Sequence, residues 1–389
     1  MSEDDEDVKS EAEELRILPT DHVLLATKTE DEISHLGIYI YEHTDDNLYM
    51  HHDIMLPAFP LCTTFLDYQL GDKTEENKSS AMVAIGTMDP QIEIWDLNVY
   101  NPIYPTAVLG KKTKKKAKVN NEYHVNSVMS LSWNTHYRHY LASSSADTTV
   151  KVWDLNTSSC VQSYNHHTDK VQSVQFHPTE SNILLTGGYD KKVAVFDGRA
   201  HENLAIWNLS GDVECLKWDP TTSHQFFVST EHGIVQCYDI RNTQSQQPIF
   251  TLHAHDEAVT SFDIHPTISN CMVTCSTDKL IKIWDYKNNQ PSMVLSRNFD
   301  LGQLFSVSFN KHQPTTLVMG GSKGEPTVWD FGSNHGVRRC FKDRKQEFNA
   351  EVKEKKVVSL ADDNEDSENE GGPAFEGQEE DDDEMMDTS

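Results

Sequence analysis

Apolar and polar residues alternate along this chain in short runs, and glycine, aspartate, asparagine or proline cuts each run off. Val171-Gln-Ser-Val-Gln-Phe176 is one such run, and Asn182-Ile-Leu-Leu-Thr186 is the next. Gly187-Gly-Tyr-Asp190 reads as a turn, Lys191–Phe196 as a third strand, and residues near Leu204 to Trp207 as a fourth. A period of two with turn residues between runs predicts β-strands. No window sustains a helical period, so the expected class is all-β.

The strands come in repeating groups. An aromatic–Asp pair closes most units, at Trp95-Asp96, Trp153-Asp154, Phe196-Asp197, Tyr238-Asp239, Trp284-Asp285 and Trp329-Asp330. After a first gap of 58 residues, the spacings are 43, 42, 46 and 45. A four-stranded propeller blade repeats at about 40–45 residues. Twenty residues before the last five aromatics stand Trp133, Phe176, Trp218, Ile264 and Phe309. Proline follows closely at Pro178, Pro220 and Pro266, where its missing N–H and fixed φ end a strand. A unit of this size cannot bury both its faces alone, so neighbours must stack.

A polar set recurs inside the units. His124, Ser143, Asp147 and Trp153 have the same internal spacing as His167, Thr186, Asp190 and Phe196, and as His255, Thr274, Asp278 and Trp284. Histidine, hydroxyl and carboxylate together suggest a hydrolase triad, but a triad is one geometry made once. Threefold repetition, with an aromatic closing each set, points to a structural network instead. The histidine is expected to bridge the turn aspartate and the strand hydroxyl, with Trp153 or Trp284 donating behind it. Phe196 has no N–H, so the second set is expected to lose one link.

These units resemble WD40 repeats, whose tetrad has this composition. The resemblance implies an all-β, seven-bladed WD40 β-propeller spanning residues 16–345. Six units are clear, and a degenerate one lies at the N-terminal end, in Val23–Thr27, Gly37–Tyr41 and Asn47–Met55. A narrower resemblance rests on Tyr49-Met-His-His-Asp-Ile-Met-Leu-Pro-Ala-Phe-Pro-Leu61, the Tyr-Asp-Lys and Ala-Asp-Thr-Thr-Val turns, and a lysine insert in the second blade. These features are similar to the periodic tryptophan protein 1 family. That likeness implies a nuclear, nucleolar, non-enzymatic scaffold in ribosome biogenesis, acting in ribosomal-RNA gene chromatin or transcription, or in pre-ribosomal RNA processing. Members carry a long segment ahead of their acidic stretch, whereas this chain begins inside one, leaving the first blade's inner strand without a candidate.

Charge divides the chain. The formal net charge is −29, of which residues 1–15 contribute −7 and residues 361–389 contribute −14. Segments this charged and poor in apolar groups cannot offset the entropy of ordering. Residues 1–15 are therefore expected to be an acidic disordered tail, and 346–389 a charged, then acidic, disordered tail. Such tails either hold basic partners, such as histones or ribosomal proteins, or serve solubility. Ser2, Ser10 and Ser367 lie just upstream of acids and are candidate sites for an acid-directed kinase.

One run opposes this trend. Lys111, Lys112, Lys114, Lys115, Lys116 and Lys118 crowd eight residues within an insert spanning 97–123. Clustered lysines read as a nuclear localisation signal or a nucleic-acid patch. The alternatives are a solvated loop, or pairing with an acidic tail. Direct RNA or DNA contact is left open.

The remaining chemistry is sparse. Seven cysteines form no CxxC pair, and no zinc motif, phosphate loop or paired-carboxylate site appears, so no cofactor and no metal are expected. The His51-His52 and His166-His167 pairs are expected to point to opposite faces of a strand. No signal peptide or membrane-spanning run is present, and a monomeric propeller within a larger complex is expected. Asp169, Lys170, Tyr189, Asp256, Glu257 and Thr277 flank the repeat histidines and turn aspartates, making them candidate rim-binding residues. A second functional reading rests on Phe196-Asp-Gly-Arg199 and Tyr238-Asp-Ile-Arg241. These resemble the aromatic-Asp-x-Arg boxes of substrate receptors for cullin-type ubiquitin ligases. The competing reading of Arg199 and Arg241 is a loop arginine bonded within its own blade.

Overall fold

Alternating runs of this length form strands whose two faces both carry apolar residues, so each sheet needs a neighbour on either side. The computed structural model describes residues 17, 21–43, 45–70, 80–111, 121–199, 204–311, 313–345, 348 and 353–360. They form seven antiparallel sheets, the blades of a β-propeller. The first blade has β1 (His22–Glu30), β2 (Ile33–Glu42) and β3 (Asn47–Leu56); the second has β4 (Pro60–Asp67), β5 (Ala81–Thr87), β6 (Ile92–Asp96) and β7 (Ala107–Leu109). The third comprises β8 (Val128–Trp133), β9 (Tyr140–Ser145), β10 (Val150–Asp154) and β11 (Ser159–Tyr164). The fourth comprises β12 (Val171–Phe176), β13 (Ile183–Gly188), β14 (Lys192–Asp197) and β15 (Leu204–Asn208). The fifth is β16 (Val213–Trp218), β17 (Gln225–Thr230), β18 (Ile234–Asp239) and β19 (Phe250–His253). The sixth is β20 (Ser261–Ile264), β21 (Cys271–Cys275), β22 (Leu280–Asp285) and β23 (Ser292–Asn298). The seventh has β24 (Leu304–Phe309), β25 (Thr316–Gly321) and β26 (Thr327–Asp330), followed by α1 (His335–Phe341).

The first strands of successive blades lie side by side from β4 through β8, β12, β16 and β20 to β24, and line the axis. The buried apolar residues do not form one central core. They fall into clusters at the seams between blades. Ala142, Val150 and Val152 of the third blade meet Val171, Val174 and Phe196 of the fourth. Leu185 and Val193 of the fourth meet Val213, Leu216 and Trp218 of the fifth. The ring closes where Val328 of the seventh blade meets Tyr39, Tyr41 and Leu48 of the first.

Three features differ from the sequence reading. The lysine insert is narrower than 97–123, because β7 lies inside that range and pairs with β6 as the second blade's outer strand. Residues 110–123 then connect the second blade to the third, and of the run only Lys111 is described; it is exposed. Order also extends past 345. Phe348 is buried in the cluster between the last two blades, and Val358 exchanges both backbone hydrogen bonds with Val328 (2.8 and 2.9 Å). The segment 353–360 so occupies the outer edge of β26. Lys355 Nζ reaches Asp46 of the first blade at 2.8 Å, tying the seam between the first and last blades. A helix also appears: Asn334 accepts N–H bonds from Gly336 and Val337 to cap α1. Just beyond α1, Arg344 grips Asp285 with two bonds of 2.7 and 2.8 Å. The tails 1–15 and 361–389, with Ser2, Ser10 and Ser367, lie outside the described residues, as do Lys112, Lys114, Lys115, Lys116 and Lys118.

Val358→Pro removes one of the two hydrogen bonds and the strand geometry that holds the closing segment. It is expected to lower stability by about 1–2 kcal/mol. A thermal melt equal to that of the unmodified chain would show that 353–360 does not close the ring.

Candidate functional site

The third blade contains the most complete polar network. The turn after β9 places Thr148 at φ 69°, a left-handed conformation unfavourable for a branched residue. Asp147 holds that turn by accepting the Thr149 N–H at 3.0 Å. Its other oxygen accepts from His124 Nδ1 at 2.9 Å and from the Val125 N–H at 3.0 Å. His124 Nε2 lies 2.7 Å from Ser143 Oγ, and Trp153 Nε1 donates to that oxygen at 2.8 Å. A neutral imidazole satisfies the set: indole N–H to hydroxyl, hydroxyl to Nε2, and Nδ1–H to carboxylate. Burial pushes the His124 imidazole below its usual range. Burial alone would raise Asp147, but bonds from His124, Thr149 and the Val125 amide outweigh it and hold the carboxyl low.

The sixth blade repeats the arrangement. His255 spans Asp278 and Thr274, both at 2.8 Å, and Trp284 Nε1 donates to Thr274 at 2.9 Å. Lys279 takes the left-handed turn position, φ 70°. The fourth blade differs from expectation. His167 contacts Asp190 at 3.0 Å and Thr186 at 3.0 Å, and Phe196 supplies no donor. However, His166 Nε2 lies 3.1 Å from the same Thr186 hydroxyl, in the place of the missing indole N–H. The lost link is therefore replaced. The pair does not split to opposite faces, because His166 and His167 lie in the connection after β11 rather than in a strand. His51 and His52 do lie in β3, yet their Nδ1 atoms are 2.6 Å apart, beside a register shift in the β2–β3 pairing. The sequence did hold a signal for His166: a second histidine immediately before the repeat histidine.

These networks are enclosed. His124, Ser143, Thr186 and Thr274 have no more than trace exposure, leaving no room for a substrate beside them. Among the described residues, no three His, Cys, Asp or Glu side chains are grouped to hold a metal ion. No helix of the described residues is long and apolar enough to cross a membrane.

The surface above the networks is accessible. Asp169, Asp256 and Glu257 are exposed, while Lys170, Tyr189 and Thr277 are half-buried. Lys170 Nζ sits 3.4 Å from the centre of the Tyr189 ring, and Tyr189 donates to Glu214 Oε1 at 3.0 Å. Burial raises the Tyr189 hydroxyl, and Glu214, Asp212 and Glu231 add to the effect. Carboxylates thus gather on this rim over the fourth to sixth blades, joined by Asp256 and Glu257 beside the Gly233 turn. Spacing had placed two corners of this rim, but not Glu214, Asp212 and Glu231, which lie in a blade lacking the full polar set. Arg199 and Arg241 sit elsewhere and are exposed, each folded back onto its own Asp197 or Asp239 at 2.7 and 2.6 Å.

Comparison with known proteins matches the repeat described as WD domain, G-beta repeat, to residues 118–154, 158–197 and 246–285. An uncharacterised WD repeat-containing protein of Schizosaccharomyces pombe is 40% identical over 361 residues, covering 90% of this chain and 69% of that protein. Periodic tryptophan protein 1 of Saccharomyces cerevisiae is 35% identical, covering 90% and 70%. Its Drosophila melanogaster homologue is 32% identical, covering 87% and 73%.

Asp147→Ala or Asp278→Ala strands a buried imidazole and releases a left-handed turn. Each is expected to cost about 1–3 kcal/mol, read as a lower melting temperature. His166→Ala, expected to cost about 1 kcal/mol, tests the substitute donor; an unchanged melt would remove His166 from the network. Burial lowers His166 and His265 to about 4, from an ordinary 6.5. Groups depressed on folding take up protons first in the unfolded chain, so their contribution is complete above pH 6.5 and falls away toward pH 4. Melting temperature should therefore decline on acidification through that window, and a flat profile would contradict it.

Proposed function

Because this chain belongs to the periodic tryptophan protein 1 family of WD repeat proteins, we propose that it is a non-enzymatic scaffold of the nucleus, acting in the nucleolus in ribosome biogenesis. In this reading the propeller is a rigid display surface and the repeated polar sets hold its corners. The observation that carries the reading into chemistry is the acidic rim over the fourth to sixth blades. Asp169, Asp212, Glu214, Glu231, Asp256 and Glu257 gather there, with Lys170 committed to the Tyr189 ring. A rigid ring of carboxylates favours a basic partner, of the kind ribosomal proteins and histone tails present. The acidic tails would raise the rate of encounter with the same partners. The lysine run is assigned to nuclear import, with RNA or DNA contact as its other role.

The ligase-receptor reading is weaker. Arg199 and Arg241 are exposed, but each is already held by the aspartate two residues before it. Affinity purification of the tagged chain, with and without nuclease, separates the readings. Recovery of pre-ribosomal proteins or histones supports the scaffold, and partners lost on nuclease treatment are held through nucleic acid. Recovery of a cullin adaptor, lost in the Arg199→Ala/Arg241→Ala double variant, would replace the scaffold reading.

Replacing Lys112, Lys114, Lys115 and Lys116 with alanine should abolish most nuclear accumulation of the tagged chain while leaving its melting temperature unchanged. Unaltered nuclear accumulation would overturn the import assignment.

A further inference from the structure

The connection between β6 and β7 carries the most exposed apolar side chains among the described residues. From Leu97 to Gly110 there is no charged residue, although charged residues make up 24% of the chain. Ile103 and Tyr104 are 82% and 81% exposed, and Val99 and Tyr100 are about half exposed. Apolar residues exposed singly are ordinary, but four within six positions are not.

The loop is held in shape. Leu97 is buried, and its N–H donates to the Ala81 carbonyl at 2.9 Å. Asp96 accepts the Asn98 N–H at 2.9 Å, and the Tyr100 ring lies 5.4 Å from the ring of buried His52 in β3. Asn101 takes a left-handed φ of 49°, which asparagine tolerates. Pro102 and Pro105 fix φ on either side of the exposed pair. Pairing of β7 with β6 then returns the chain to the sheet. Ile103 and Tyr104 so stand out from a braced loop, which has little conformational freedom left to lose on binding.

The fold does not demand this exposure. In the fifth blade the connection between β18 and β19, Ile240–Ile249, has the same length as Leu97–Thr106. It turns Arg241–Gln247 outward, all polar or charged, and keeps Ile240 and Ile249 half-buried.

We propose that Leu97–Thr106 is an anchor that docks into an apolar, uncharged cleft of a separate basic protein, with Ile103 and Tyr104 as the inserted side chains. Other occupants fit the chemistry less well. The neighbouring segments 71–79 and 112–120 each hold five charged residues, so covering the loop with them would bury charge. A second copy brings the same net charge of −29 and is repelled. Nucleic acid and anionic membrane present phosphates, and the loop has no cation to meet them. That net charge draws in a basic partner, while the uncharged loop selects the cleft. The aromatic–Asp ends of the strands lie opposite the turns that carry the acidic rim, so this inference stands apart from the rim reading.

Site-directed crosslinking of the full chain in cells tests it. Benzoylphenylalanine is placed at Val99, beside the anchor, and as a control at Gln244, in the polar loop of the fifth blade. The expected result is a crosslink from the first position only, to one basic protein, through residues of an apolar cleft. A cyclic peptide of the loop sequence (LNVYNPIYPT) should compete that crosslink away, and the same peptide with serine at its two exposed anchor positions should not. With the crosslinked protein purified, Ile103→Ser/Tyr104→Ser should weaken binding at least about tenfold at unchanged melting temperature. Equal affinity of the double variant would overturn the proposal, as would crosslinking no stronger than at Gln244. So would a crosslink to RNA, to lipid, within the chain or to a second copy, each of which would name a different occupant.

Discussion

The propeller depends on one constraint: no blade covers itself. Each sheet presents apolar side chains on both faces, so the hydrophobic contribution is realised only at seams, and the ring must close for every seam to be dry. The seam clusters are unequal. Sixteen buried residues crowd the seam between the sixth and seventh blades, where α1 and Phe348 add Val337 and Phe341. Among the described residues, four buried ones hold the seam between the seventh and the first, with Leu24, Ala26, Val318, Val358 and Leu360 packed against them. The Val328–Val358 bridge and the Lys355–Asp46 pair add backbone and charged contacts at that closing seam.

The polar sets lie within single blades rather than across the seams. A left-handed residue follows Asp147, Asp190 and Asp278 alike, with φ of 69°, 61° and 70°. Each aspartate stabilises that turn through a backbone amide and anchors the repeat histidine as well. The histidine continues the chain of bonds to a hydroxyl within the strands. Turn, connection and sheet are so fixed together with each histidine, hydroxyl and aspartate of the set paired, the condition under which such a network specifies a geometry. This rigidity positions Asp169, Asp256 and Glu257, which follow the repeat histidines of the fourth and sixth blades.

Much of the fold was legible in the chain. His124, His167 and His255 with their fixed offsets index blades, and the aromatic–Asp pairs count them. The strand runs around Val171 and Lys192 fall within a residue or two of their observed limits. The candidate site was less legible. Asp169, Lys170, Asp256 and Glu257 followed from their places beside the repeat histidines. Asp212, Glu214 and Glu231 did not, because the fifth blade lacks the repeat histidine that would have flagged them. The role of His166 was misjudged because strand alternation was applied to a residue that lies in a connection.

The sequence by itself determined the repeat, the strand period and the polar network, since these are set by contacts between residues at fixed short separations. Tertiary structure alone decided what happens where the ring meets itself. Val358 finding Val328 and Lys355 finding Asp46 across most of the chain leave no periodic trace. Such contacts join residues that are distant in sequence and become neighbours only once seven blades have turned through a full circle.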